Sequence, residues 1–113
     1  MNITVRNHNN IVEIAIAGEF FAEHVKKIND VWRVQIEKKP DVIVIDCQEL
    51  MYVDSMAIGT LVNFHNTAAD QDIKLIFSDL NDSIRQILET AGLDTFFEII
   101  TRREFETRYL AGS

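Results

Sequence analysis

Val42-Ile43-Val44-Ile45-Asp46-Cys47-Gln48-Glu49-Leu50-Met51-Tyr52-Val53-Asp54-Ser55-Met56-Ala57-Ile58-Gly59-Thr60-Leu61 is the most informative stretch of the chain. It opens on a continuous β-branched run, the pattern of a central strand covered on both faces. A short polar stretch then leads to Asp54-Ser55, after which Ala57, Ile58, Leu61, Val62, Phe64 and His65 fall mainly on one helical face up to about Ala69. Either Asp54 or Ser55 is the expected N-cap. A serine at the start of a helix lies beside N–H groups that have no intrahelical partner, a position that favours a phosphate; the plainer reading is a helix cap with no further role.

Upstream, Ile3 to Arg6 and Ile11 to Ala17 read as two strands of a hairpin joined by the polar turn Asn7-His8-Asn9-Asn10. From Ala22 to Lys38, Val25, Ile28, Trp32 and Ile36 recur at steps of three and four residues opposite Glu23, Lys26, Lys27, Asp30 and Arg33, the pattern of an amphipathic helix. Pro40 marks its end. Downstream, Asp70-Gln71-Asp72 is a turn and Ile73 to Phe77 a buried strand. Asn81 or Asp82 caps a third helix, with Ile84, Ile87, Leu88 and Ala91 on one face and Gly92 as its stop. Phe96 to Ile100 forms a last strand, and Arg102 to Leu110 a final helix with Phe105, Tyr109 and Leu110 on one side. Alternating strands and helices with short connections predict an α/β fold, and the opening hairpin makes its sheet mixed. The expected architecture is a single domain over residues 1–113, with about five strands and about four helices.

Composition narrows the function. Eighteen acidic against eleven basic side chains leave a formal charge of −7, a field that repels nucleic-acid backbones and anionic lipid surfaces. The N-terminal residues lack a secretory pattern, and no apolar run approaches the about 20 residues of a membrane span, so a cytoplasmic location with no membrane partner is expected. Gly18, Gly59, Gly92 and Gly112 are scattered and form no phosphate loop. His8, His24 and His65 are not paired at ligand spacing, and Cys47 has no second cysteine, so neither a metal nor a cofactor is expected. His65 follows Ser55 by ten residues, about 15 Å along a helix and too far to serve it as a base. No carboxylate pair stands out as an acid and a base, which points away from an enzyme and towards a protein-binding surface.

Tyr52-Val53-Asp54-Ser55-Met56-Ala57-Ile58-Gly59 resembles the phosphorylation loop of the anti-sigma-factor-antagonist (STAS-domain) family, an apolar strand and polar segment followed by Tyr/Phe-hydrophobic-Asp-Ser-small-Gly-hydrophobic-Gly. Leu80-Asn81-Asp82-Ser83-Ile84-Arg85-Gln86-Ile87-Leu88-Glu89-Thr90-Ala91-Gly92-Leu93 is similar to the family's third helix and its closing small-Gly-Leu, and Ile16-Ala17-Gly18-Glu19-Phe20 to its strand ending in Gly-Glu-hydrophobic. The chain departs from the pattern at Met56-Ala57, which adds bulk beside the serine, and at Phe21, where an Asp is frequent.

The resemblance implies that Ser55 is a phosphoacceptor. It implies as partners an anti-sigma factor that is itself the serine kinase and binds the ATP, and a metal-dependent serine phosphatase that restores the hydroxyl. Asp54 then shapes the loop without a catalytic role. Phe20, Phe21, Asp54, Met56, Ala57 and Ile58 are the expected partner-binding residues around Ser55, the two rings being either partner contacts or part of the core. The alternative is a STAS subunit of a lipid-transport or transporter complex, which needs no phosphoacceptor.

Overall fold

The computed structural model describes residues 1–111; the expected span 1–113 includes Gly112 and Ser113, which lie outside the described residues. β1 (Asn2–His8) and β2 (Ile11–Phe20) form an antiparallel hairpin, with Asn2 opposite Ala17 and His8 opposite Ile11. The connection is only Asn9-Asn10, shorter than the expected four-residue turn. Asn9 takes the positive φ of 57° that the reversal requires, which an asparagine tolerates.

A tight 3-10 turn (Ala22–His24) leads into α1 (Val25–Glu37), and β3 (Val42–Asp46) follows. β4 (Leu50–Val53), α2 (Ser55–Asp70), β5 (Lys74–Ser78), α3 (Asp82–Thr90), β6 (Glu98–Ile100) and α4 (Arg102–Phe105) complete the order, with a wider π-type turn over Glu106–Leu110. The sheet runs β1-β2-β3-β5-β6, parallel from β2 onwards. This is the mixed α/β architecture expected from the sequence, with one strand more.

The additional strand is β4. It pairs in parallel with the far end of β2, Gly18 opposite Leu50 and Phe20 opposite Val53, and the register shifts between Gly18 and Glu19. Gly18 has φ of 93°, a conformation costly for a side chain bearing a Cβ, so the irregularity falls on the residue that accommodates it. In β4, Leu50 and Val53 are buried while Met51 and Tyr52 both face solvent. That pattern breaks the period of two by which a strand is recognised in sequence.

The strands explain their own composition. Val12, Ile14, Ile16 and Phe20 of β2, Ile43 and Ile45 of β3, and Leu75 and Phe77 of β5 belong to a core shared with Ile28, Trp32 and Ile36 of α1, Ala57, Leu61, Phe64 and Ala68 of α2, and Ile84 and Leu88 of α3. Trp32 stacks on Phe64 with centroids 4.3 Å apart and planes 10° from parallel. A second cluster holds Val42, Val44, Ile76 and Ile100 under Phe105, with Tyr109 and Leu110 packed on it. β3 therefore feeds both clusters through alternate side chains, which is why its sequence is unbroken β-branched.

Beside the second cluster, Glu13 is buried and ion-paired to Arg102 at the start of α4, and His8 joins the same carboxylate. Burial raises the Glu13 carboxyl, but the hydrogen bond and charge of Arg102, then those of His8, outweigh it and hold the group below the ordinary carboxylate range. The final helix expected over residues 102–110 is thus a four-residue α4, capped reciprocally by Thr101 and Glu104, running into the π-type turn.

Candidate functional site

Three segments converge at the start of α2: the residues just after β2, the end of β4, and the first turn of the helix. Asp54 has extended backbone, φ −92° and ψ −179°, and its side chain accepts the Ala57 N–H at 2.8 Å. Its second carboxylate oxygen accepts the Ala22 N–H, also at 2.8 Å. One carboxylate therefore caps α2 and ties it to the turn after β2. The Ala57 N–H, and after it that of Ala22, hold the Asp54 carboxyl below the ordinary range despite the opposing effect of desolvation. The backbone adds two more ties, Asp54 N–H to the Phe20 carbonyl at 3.3 Å and Ile58 N–H to the Asp54 carbonyl at 3.0 Å.

Of the two N-cap candidates, Asp54 takes the role and Ser55 is the first helical residue. Ser55 is exposed. With Met56, Gly59, Thr60 and Asn63 of α2 and Asn29 of α1, it lines a shallow uncharged cavity of about 200 Å³. The first turn of α2 carries no acidic side chain inside the helix, so the N–H end of the dipole beside Ser55 faces outward with Asp54 alone opposing it.

Large apolar side chains lie exposed on both sides of the Asp54-Ser55 pair in the chain. Met51 is 63% exposed, Met56 58% and Tyr52 46%, three of the large hydrophobic side chains left in solvent. Phe21 is half-buried, its ring 5.7 Å from that of Tyr52 and stacked at 6.1 Å on His24, whose Nδ1 accepts the Phe21 N–H. Single exposed hydrophobics are ordinary on a protein surface, whereas groups of them are a feature of interaction sites; here Met56 adjoins Ser55 and Tyr52 adjoins Phe21.

Two of the expected partner-binding residues are placed otherwise. Phe20 is fully buried among the helix-covered core residues. It is the last residue of β2, opposite Val53, and its ring points under the helices while Phe21, one residue on, turns outward. Ala57 is likewise fully buried, because the third residue of α2 faces the sheet. Ile58 is half-buried and packs against the core. Phe21, Asp54, Ser55 and Met56 do come together at the surface. Sequence reasoning did not single out Met51 and Tyr52 as exposed; their signal is an apolar pair at the end of the stretch read as polar, separated from the Asp-Ser pair by Val53.

Elsewhere, His65 lies in the second half of α2 against Phe96 and Phe97, with centroids 4.3 and 6.0 Å away. Cys47 is buried, and burial, with the nearby charges of Asp46 and Asp79, pushes its thiol up. Among the described residues, no helix is long and apolar enough to cross a membrane.

A strand–loop–helix with an Asp-Ser pair at the turn, set in this sheet order, agrees with a family model, that of the STAS domain, which matches residues 2–106. The chain belongs to the STAS domain family. The anti-sigma-B factor antagonist of Listeria monocytogenes is 28% identical over 102 residues, covering 88% of this STAS domain chain and 90% of that protein. Among solved structures, the anti-sigma factor antagonist SpoIIAA in its unphosphorylated form superposes with a TM-score of 0.81 at 17% identity, covering 99% of each chain. The Bacillus cell fate determinant SpoIIAA in the phosphorylated form superposes with a TM-score of 0.74, again at 17% identity, covering 95% of this STAS domain and 98% of that chain.

Proposed function

We propose that this STAS domain is an anti-sigma-factor antagonist that works as a phosphoswitch. With Ser55 unmodified it sequesters a serine-kinase anti-sigma factor; phosphorylated on Ser55 it releases that partner, and a metal-dependent serine phosphatase resets it. It acts in the cytoplasm by binding, and the ATP belongs to the kinase. The observation that carries this reading is the geometry of Ser55: an exposed hydroxyl on the first helical residue, beside a carboxylate that already does the capping and next to the exposed side chain of Met56. A hydroxyl that is not needed as a cap is free to be modified without loss of the helix start.

The electrostatics give the direction of the switch. Phosphate adds about 1.5 to 2 negative charges at the centre of a surface that the partner must desolvate, next to the carboxylate of Asp54. The N–H end of α2 accommodates this charge in the free protein, while the complex loses apolar contact around it. That the fold occurs in a phosphorylated form, as in SpoIIAA, supports the compatibility of fold and phosphate. A STAS subunit of a transport complex would not need an exposed serine at this position. The test is to incubate the protein with a serine-kinase anti-sigma factor and ATP and to map the phosphate by mass spectrometry. Phosphate on Ser55, with loss of the complex, is the expected result; phosphate elsewhere or none rejects the proposal.

A further inference from the structure

Met56 and Met51 are the feature of the site that phosphorylation leaves unexplained. Both side chains are more than half exposed, at 58% and 63%; Met56 follows Ser55 directly in α2, and Met51 lies on β4, the strand that leads into Asp54-Ser55. Met56 also shares the shallow cavity with Ser55. Met1, by contrast, packs partly buried against the core. We propose that Met56, with Met51, is a second modification site of this surface: oxidation of these thioethers by a hydroperoxide releases the partner without ATP. The inference rests on the reading of this patch as the partner surface.

The chemistry balances within the two reactants. The thioether sulfur attacks the terminal oxygen of the hydroperoxide; the S–O bond forms as the O–O bond breaks, the proton on that oxygen passes to the departing oxygen, sulfur is oxidised by two electrons to the sulfoxide, and the oxidant is reduced to water from hydrogen peroxide or to the alcohol from an organic hydroperoxide. A flexible apolar side chain becomes polar and gains a strong hydrogen-bond acceptor. In a patch that a partner covers, that acceptor must be desolvated without an assured donor, the same kind of penalty that a phosphate imposes one residue away. Cys47 does not compete for the oxidant, since it is buried and reacts only as a thiolate, which burial disfavours. The change is reversible by methionine sulfoxide reductases, so the two modifications are parallel switches on one surface.

The experiment treats the full chain with hydrogen peroxide, removes the oxidant with catalase, maps sulfoxides by peptide mass spectrometry and measures affinity for the kinase that phosphorylates Ser55, loaded with ADP so that no phosphate can be transferred. Met51 and Met56 are expected to convert ahead of Met1, with affinity falling at least about tenfold and returning after reductase treatment. The M51L/M56L variant, close in volume to the parent, should keep its own untreated affinity, whatever that is, after peroxide. Three results overturn the proposal: both thioethers stay reduced while free methionine in the same tube is oxidised, both are oxidised with affinity unchanged, or the leucine variant loses affinity equally under peroxide. Failure of the untreated chain to bind the kinase overturns the partner-surface reading first and this inference with it.

Discussion

The two faces of the sheet are held by different physics. The helix-covered face is apolar from β2 across to β5 and is closed by Ile28, Trp32 and Ile36 of α1 and Ala57, Leu61, Phe64 and Ala68 of α2. The other face has a small apolar cluster under Phe105 and, beside it, the buried carboxylate of Glu13 shared by Arg102 and His8. The first face depends on burial of apolar side chains; the second is fastened in part by charge. The α2 start sits on the rim of the first face, held there by the Asp54 carboxylate, while the C-terminal segment is fastened by the buried Glu13 pair.

The largest expected effect tests the apolar face. Phe20→Ala removes a fully buried ring and should destabilise the fold by about 3 to 5 kcal/mol in denaturant unfolding. Phe21→Ala, one residue along and half-buried, should cost far less stability and weaken kinase binding instead. Equal losses of stability at the two positions would break the division between core and surface drawn at the end of β2.

The second face gives a smaller effect with a distinct signature. Arg102→Ala leaves Glu13 buried without its main partner and should cost about 2 to 3 kcal/mol, less than a fully enclosed pair because the guanidinium is partly exposed. The folded Glu13 pKa lies below its ordinary value of 4.5, so the pair's contribution is complete above that value and is lost as pH falls through the lower folded value. Acid unfolding of the parent chain should therefore be steeper than that of a Glu13→Gln/Arg102→Met double variant. Parallel acid profiles would remove charge as the fastener of the C-terminal segment.

At the rim, Asp54 joins α2 to the turn after β2 through two backbone N–H groups. Asp54→Ala should lower the melting temperature modestly and speed amide exchange at both Ala22 and Ala57, since one carboxylate protects both. Exchange accelerated at Ala57 alone would mean that Asp54 is a helix cap and not a link between the two loops.

Much of this was legible from the chain because burial imposes periodicity. The β-branched run of Val42 to Ile45 announces a strand covered twice, and the apolar spacing of Ile28, Trp32 and Ile36 announces a helix on the sheet. β4 was not legible, because the shift of register at Gly18 leaves Met51 and Tyr52 both outward and destroys the alternation. Nor could sequence say which of Phe20 and Phe21 is inside: a loop offers no period, and the answer depends on where β2 stops pairing with β4. The Glu13–Arg102 pair spans residues far apart in the chain and has no local signal at all. At the candidate site, the Asp-Ser pair was legible and the division of labour within it was not.

That division gives the smallest expected effect on stability and the one most informative about function. Two readings of Ser55 compete. If its hydroxyl were the cap, Ser55→Ala would cost about 1 kcal/mol. In the structure the Ala57 N–H is already taken by Asp54, at 2.8 Å, and Ser55 is the first residue of the helix, exposed to solvent. Alanine is a better helix former than serine at such a position, so Ser55→Ala should change stability by less than about 0.5 kcal/mol. The same variant should bind the kinase constitutively and accept no phosphate, whereas Ser55→Asp should remain folded and bind at least about tenfold more weakly, a carboxylate carrying only part of the phosphate charge. Thermal unfolding and affinity measured on one set of variants separate the readings: a stability loss near 1 kcal/mol with binding unaltered in both variants would return Ser55 to the role of a cap, whereas unaltered stability is the outcome that the Asp54 geometry requires, and opposite changes in phosphorylation and binding are the outcome that the proposed switch requires.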